Sequence, residues 1–232
     1  MSKEIKIQFI EELPADPMGK LLIVLFHGYG ADAYDLKTLS QVITPPSGQD
    51  THWAFGQGPL KVPIGPGWMG RAWWPINIQE YQNSLASEAK NNKSGFIPDN
   101  IEQLRTQIFD SIKQKGYSMS KVILGGFSQG AMLATDLFLN SVERPKALIV
   151  LSGALINKAQ WAEQAKALKG NENIFISHGD QDPVIPAKEA DRLETFFSEF
   201  KVKPTKFLFK GTHEIPPEVI ERINLWLKKI DL

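Results

Sequence analysis

Residues 125–130 read Gly-Gly-Phe-Ser-Gln-Gly, after Lys-Val-Ile-Leu and before Ala-Met-Leu-Ala-Thr-Asp-Leu-Phe. A serine with a glycine two residues away on each side, at the handover from a buried strand to a helix, is a nucleophile elbow. A turn this sharp strains the serine backbone and points its hydroxyl outward. The glycines Gly126 and Gly130 are expected because residues two before and two after approach the serine Cβ too closely for side chains. The helix that follows aims its first amides, and its positive dipole end, at negative charge developing beside the hydroxyl. The chemistry this suits is nucleophilic attack by Ser128. A glycine-rich turn with an incidental serine is the plainer alternative, and the strand before and helix after weigh against it.

An alcohol needs a general base, and behind such an elbow the partners follow in the order serine, acid, histidine. The chain has four histidines, at 27, 52, 178 and 213, and only His213 comes after every acid that could serve. It lies in Lys-Gly-Thr-His-Glu-Ile-Pro-Pro, between the last apolar run and the last helical pattern, where a loop can swing over the sheet edge. The acid must end a strand between these two positions. The run Ile-Phe-Ile-Ser-His-Gly-Asp-Gln-Asp-Pro-Val offers Asp180 and Asp182. Asp180 follows a glycine and suits a turn that spends its carboxylate on backbone amides, so spacing favours Asp182 and keeps Asp180 as the alternative.

An oxyanion requires two donors. One follows from the elbow, the backbone N–H of Gln129. The other is expected from Leu-Phe-His-Gly-Tyr-Gly, residues 25–30, with Tyr29 N–H the choice. His27 in that run is read as a hydrogen-bonded structural residue and not as a catalyst.

These residues need elements to hold them. Short aliphatic runs at Leu21 to Phe26, Lys121 to Leu124, Ala147 to Leu151, Ile174 to Ser177 and Lys206 to Phe209 read as strands buried on both faces. Helical spacing links Ile101, Leu104, Ile108 and Ile112, then Ala190, Leu193, Phe197 and Phe200, then Val219, Ile223, Trp226 or Leu227, and Ile230. Pro98 and Pro216-Pro217 suit helix starts. The alternation predicts one α/β domain over 1–232, with a mostly parallel central sheet and helices on both faces. Residues 56–95 break the pattern: they are rich in glycine and proline, carry Trp73-Trp74-Pro75 and then turn polar. They are expected to form a lid-like or substrate-facing segment without regular structure. Trp73 and Trp74 are candidates for the wall of a substrate pocket, the alternative being that both rings plug the core.

Composition narrows the partners. Among 232 residues, Lys plus Arg and Asp plus Glu number 26 each, so no overall field favours nucleic acid or an anionic membrane. There is no cysteine, which removes disulfides, thiolate metal sites and a cysteine nucleophile together. The histidine placement offers no metal cluster either, and no cofactor is expected. No apolar run is long enough to span a bilayer, and a cytoplasmic location is expected.

With these blocks assembled, the chain resembles the phospholipase/carboxylesterase family of α/β-hydrolases, which includes carboxylesterases and acyl-protein thioesterases. The resemblance rests on Leu-Phe-His-Gly-Tyr-Gly-Ala-Asp ending at Asp32, Val-Ile-Leu-Gly-Gly-Phe-Ser-Gln-Gly ending at Gly130, His-Gly-Asp-Gln-Asp-Pro-Val-Ile-Pro ending at Pro186, and Gly-Thr-His-Glu-Ile ending at Ile215. It implies the α/β-hydrolase fold without a large cap domain, often dimeric among relatives, with Ser128 as nucleophile, Asp182 as acid, His213 as base, and Tyr29 and Gln129 as oxyanion donors. Two departures stand out: Ala131 where relatives often have a second glycine, and Trp73-Trp74-Pro75 where they commonly have an aromatic followed by Asp.

The expected function is hydrolysis of small carboxylic esters or thioesters through an acyl-enzyme. Lysophospholipase or acyl-protein thioesterase activity on the same site is the alternative. A noncatalytic hydrolase-fold protein that binds a small ligand is the alternative of another class, and a complete set of serine, acid and histidine argues against it.

Overall fold

The structure is a computed structural model that describes residues 6–14, 21–45, 50–76 and 98–230. Its centre is a seven-stranded sheet in the order β1-β3-β2-β6-β7-β8-β9. The strands are β1 (Gln8–Glu12), β2 (Leu21–Phe26), β3 (Thr51–Gln57), β6 (Val122–Phe127), β7 (Ala147–Leu151), β8 (Asn173–Gly179) and β9 (Thr205–Phe209). Only β1 runs antiparallel, against β3; every other pairing is parallel.

The central strands are apolar end to end because both faces are covered, and their side chains still alternate between two cores. Leu22, Val24 and Phe26 face one core with α1 (Ile101–Gln114), α2 (Gln129–Asn140), α3 (Lys158–Ala165) and α4 (Lys188–Glu199). Leu21, Ile23 and Leu25 face the other, with Leu36, Leu39 and α5 (Pro217–Leu227). The helical spacings read from the sequence put Leu104, Ile108, Leu193, Phe197, Val219 and Ile223 inside these cores.

The first core is also tied by charge. Arg105 Nε and Nη2 on α1 donate to Asp136 on α2 at 2.6 and 2.8 Å, and Trp161 Nε1 on α3 donates to the same carboxylate at 2.9 Å. Burial alone would lower the Arg105 pKa, yet Asp136 and Glu102 outweigh it and push it up.

Residues 56–95 depart from the expected irregular segment where they are described. Gly56 and Gln57 end β3, and β4 (Leu60–Gly65) pairs antiparallel with β5 (Trp68–Ala72) in a separate two-stranded sheet. The turn residues Gly65-Pro66-Gly67 join two strands and do not mark a loop; Gly67 supplies the required left-handed residue at φ +77°. A slip in register between Pro63 and Gly65 lets a proline sit in a strand with no partner on its far side. Residues 77–95 of the expected lid lie outside the described residues.

The candidate site residues sit in loops or turns beyond the carboxyl ends of β2, β6, β8 and β9, or just after β5, except Gln129, which opens α2. In an open parallel sheet that edge is where ligands bind.

Candidate active site

Ser128 joins β6 to α2 with φ 56° and ψ −118°, a conformation that costs an ordinary residue about 1–3 kcal/mol. The strain is held by hydrogen bonds on both sides. Ser128 N–H donates to Leu151 O at 2.9 Å, and Ser128 O accepts from Ala131 and Met132 at 3.0 and 3.2 Å. The glycines earn their place differently from the expectation. A Cβ on Gly126 would lie 2.4 Å from the Gly130 carbonyl, and one on Gly130 would lie 1.9 Å from Phe26 O. They let the elbow close on itself and let α2 lie against β2.

His213 Nδ1 donates to Asp182 Oδ2 at 2.6 Å. The other oxygen, Oδ1, accepts from Val184 and Ile185 N–H at 2.8 and 2.9 Å, so the carboxylate is cradled by its own loop. Burial alone would raise the Asp182 pKa. The nearby His178 N–H and the hydrogen bonds from His213 and Ile185 outweigh it and hold the carboxyl well below the usual carboxylate range. Asp180 does something else: its Oδ1 accepts from Gly211 N–H at 3.2 Å while its own N–H donates to Phe209 O at 2.9 Å. That stitches the acid loop to the loop carrying His213.

The His213 ring packs against Phe127, the residue before the serine, with centroids 4.6 Å apart and a tilt of 44°. Ser128 and His213 make no direct hydrogen bond. Catalytic hydrogen bonds often tighten only with substrate present.

The loop after β2 is built around His27. Its Nδ1–H donates to Gly28 O at 2.7 Å and its Nε2 accepts from Gly58 N–H at 2.9 Å, which fixes one neutral tautomer. Burial pushes its pKa down. Trp73 Nε1–H closes the arrangement on His27 O at 2.8 Å. Gly28 gives the turn room, because a Cβ there would lie a tight 3.3 Å from Ser128 Cβ. The hairpin holds the far side: Gly30 N–H donates to Arg71 O and Arg71 N–H to Ala31 O, both at 2.8 Å. Among the described residues, neither Tyr29 N–H nor Gln129 N–H has a hydrogen-bond partner.

Trp73 and Trp74 are both fully buried, at 0% and 1% exposure, and Trp73 packs edge-on against Phe26. Two features of the site lay beyond the sequence reading. The Gln129 side chain, also buried, accepts from Trp73 N–H at 2.9 Å and donates to Trp74 O at 2.8 Å, clamping the tryptophan backbone to the elbow. His178 faces Asp182. Its position one residue before Gly179 was visible, but a buried strand end gives no sign of which atom it will meet.

Among the described residues, no group of three or more His, Asp or Glu side chains could hold a metal ion. No helix there is long and apolar enough to cross a membrane.

The sheet, the strained serine and the Asp-His pair define a hydrolase of the α/β type. Comparison with known proteins agrees: the sequence profile described as Phospholipase/Carboxylesterase matches residues 7–231, and the chain belongs to that family. It is 27% identical to acyl-protein thioesterase 1 of Saccharomyces cerevisiae over 216 residues, covering 89% of this chain and 91% of the relative. It is 28% identical to the Kluyveromyces lactis protein of the same name, covering 78% of each. Among solved structures, esterase PE8 superposes with a TM-score of 0.79 at 24% identity, covering 97% of this chain and all of the other (100%). The Bacillus cereus carboxylesterase gives 0.71 at 17% identity, covering 97% and 95%. These likenesses confirm the α/β-hydrolase fold, and no large cap domain occurs among the described residues.

Proposed function

We propose that the chain hydrolyses carboxylic esters or thioesters through an acyl-enzyme on Ser128, with His213 as general base and Asp182 as its partner. His213 Nε2 takes the Ser128 proton as Oγ attacks the acyl carbon. The oxyanion is held by the N–H groups of Tyr29 and Gln129, and the proton then passes to the leaving alcohol or thiol. Water, deprotonated by the same imidazole, releases the acid. Asp182 keeps Nδ1 protonated, so Nε2 is free to accept, and it stabilises the imidazolium that forms. The observation that carries this reading is the 2.6 Å bond from His213 Nδ1 to a carboxylate whose other oxygen is already held by two amides.

The test is covalent labelling. A fluorophosphonate probe should label the wild type at Ser128 and leave Ser128→Ala unmodified, with p-nitrophenyl acetate turnover lost in parallel. A folded wild type that takes no label would favour the noncatalytic binder.

Thioesters come forward as the second substrate class because the yeast relatives are acyl-protein thioesterases. Trp73 and Trp74 belong to the proposal as the wall of the acyl pocket. What supports it is the Gln129 clamp, which fastens their backbone beside the nucleophile.

A further inference from the structure

His178 touches the Asp182 carboxylate directly, yet the mechanism leaves it unused. It is fully buried on β8, two strand positions from the loop that presents Asp182, and its ring makes an unusual set of contacts. Nε2 lies 2.8 Å from Ile185 O and 3.3 Å from Asp182 Oδ2, the same oxygen that receives His213. Both neighbours are acceptors, so the proton belongs on Nε2. Nδ1 has no partner among the described residues. A buried nitrogen without a partner is a cost that leucine or phenylalanine would avoid at the same position. The residue is there for its Nε2–H.

That N–H completes a ring of polar contacts. Ile185 N–H donates to Asp182 Oδ1, Ile185 O accepts from His178, and the His178 edge then faces Oδ2. One imidazole thus holds Ile185 by its carbonyl, the residue whose N–H cradles one carboxylate oxygen, and lays a positive edge beside the other. Without it, the Asp182 loop would rest on the Val184 and Ile185 amides alone, with the Ile185 carbonyl no longer held. We propose that His178 is a positioning residue for the triad: through Ile185 and Oδ2 it sets the direction in which Asp182 meets His213. This rests on the triad proposed above.

Glutamine and asparagine separate reach from polarity. At position 178 a glutamine amide extends to the place of Nε2, whereas asparagine ends near Nδ1; both bury a carboxamide. His178→Asn should lower kcat on p-nitrophenyl acetate on the order of 10–100-fold with KM little changed, as expected when a catalytic group is misaimed by a fraction of a bond length to an ångström. His178→Gln should recover most of it. The wild type supplies a second readout that no substitution can spoil. Its 15N ring shifts should place the His178 proton on Nε2, and the low-field proton of the His213 to Asp182 bond should move in the Asn variant and return in the Gln variant. The proposal is overturned if both variants keep wild-type kcat, if both lose it equally with matching falls in Tm, or if the wild-type proton sits on Nδ1. The Asp182→Asn variant tells the two readings apart. If it is as active as wild type the triad assignment is wrong, and if it is inactive while His178→Asn is unimpaired only the role of His178 fails.

Discussion

At the scale of single residues, the site separates two neighbouring acids by what their oxygens touch. Asp182 is committed to His213 and to the amides of its own loop, and Asp180 to Gly211. Asp182→Asn should therefore cut kcat heavily, by about 10⁴-fold where the analogous exchange misplaces the histidine proton, a loss far beyond what its lower Tm explains. Asp180→Asn should lower Tm and leave kcat largely intact. Kinetics and thermal melts on the same preparations check both, and an Asp180 variant that melts normally yet is inactive would exchange the roles. Trp74→Ala should shift the acyl-length optimum on p-nitrophenyl esters upward, because each methylene admitted to the vacated volume gains about 0.8 kcal/mol. A uniform loss across the length series, with a lower Tm, would instead make Trp74 purely a core residue.

Elements fail differently from residues. Asp136 receives Arg105 from α1 and Trp161 from α3, so it joins three helices at one buried carboxylate. Removing it leaves the buried Arg105 guanidinium only the exposed Glu102, and Asp136→Ala should cost about 3–5 kcal/mol in denaturant unfolding while leaving KM unchanged. What the sequence disclosed of the elements follows from how they are buried. β2 and β7 were legible because a strand covered on both faces must be apolar throughout, and the helices because each buries a stripe. β1 and β3 were not. Gln-Phe-Ile-Glu-Glu at an edge buries little, and Thr-His-Trp-Ala-Phe-Gly-Gln hides a polar His52 by pairing it with Glu11 across the strands at 2.6 Å. The hairpin was missed because its glycines and prolines report turns but not what the turns connect. At the site, residue types and their order single out Ser128, Asp182 and His213 for the proposed triad, and the structure joins the last two by a hydrogen bond. The Gln129 clamp and the His178 contact depend on atoms brought together by packing, which spacing along the chain cannot express.

For the molecule as a whole, acidity acts through groups with opposite signs. His27 has its pKa pushed below the ordinary 6.5 by burial, so the folded chain stays unprotonated there while the unfolded chain takes up a proton. Stability should fall as pH drops below about 6.5. Asp182 is held below the ordinary 3.8, so its contribution is complete above that value and is lost only as pH falls beneath it. Between pH 7 and 5 the decline in Tm should thus owe more to His27 than to the catalytic acid. Melting the wild type and His27→Gln across that range checks it: the variant starts lower but should show the flatter slope. Equal slopes would assign the decline to other groups.

The hairpin of β4 and β5 is fastened to the loop behind Tyr29 by main-chain bonds at Gly30 and Ala31, and by the bare Cα of Gly70, where a Cβ would lie 1.9 Å from Gly30 O. The main-chain bonds read no side chain at the tip, where Ile64, Trp68 and Met69 stand more than half exposed, but the Ile64 methyl lies against Gly30, 2.9 Å from where a Cβ would be. The main-chain anchoring is thus indifferent to Trp68 and Met69 but not to Ile64. Mutation at Trp68 or Met69 can therefore rewrite the tip while the loop that carries Tyr29 keeps its main-chain supports, which makes these two positions the places where the ribbon can vary most freely.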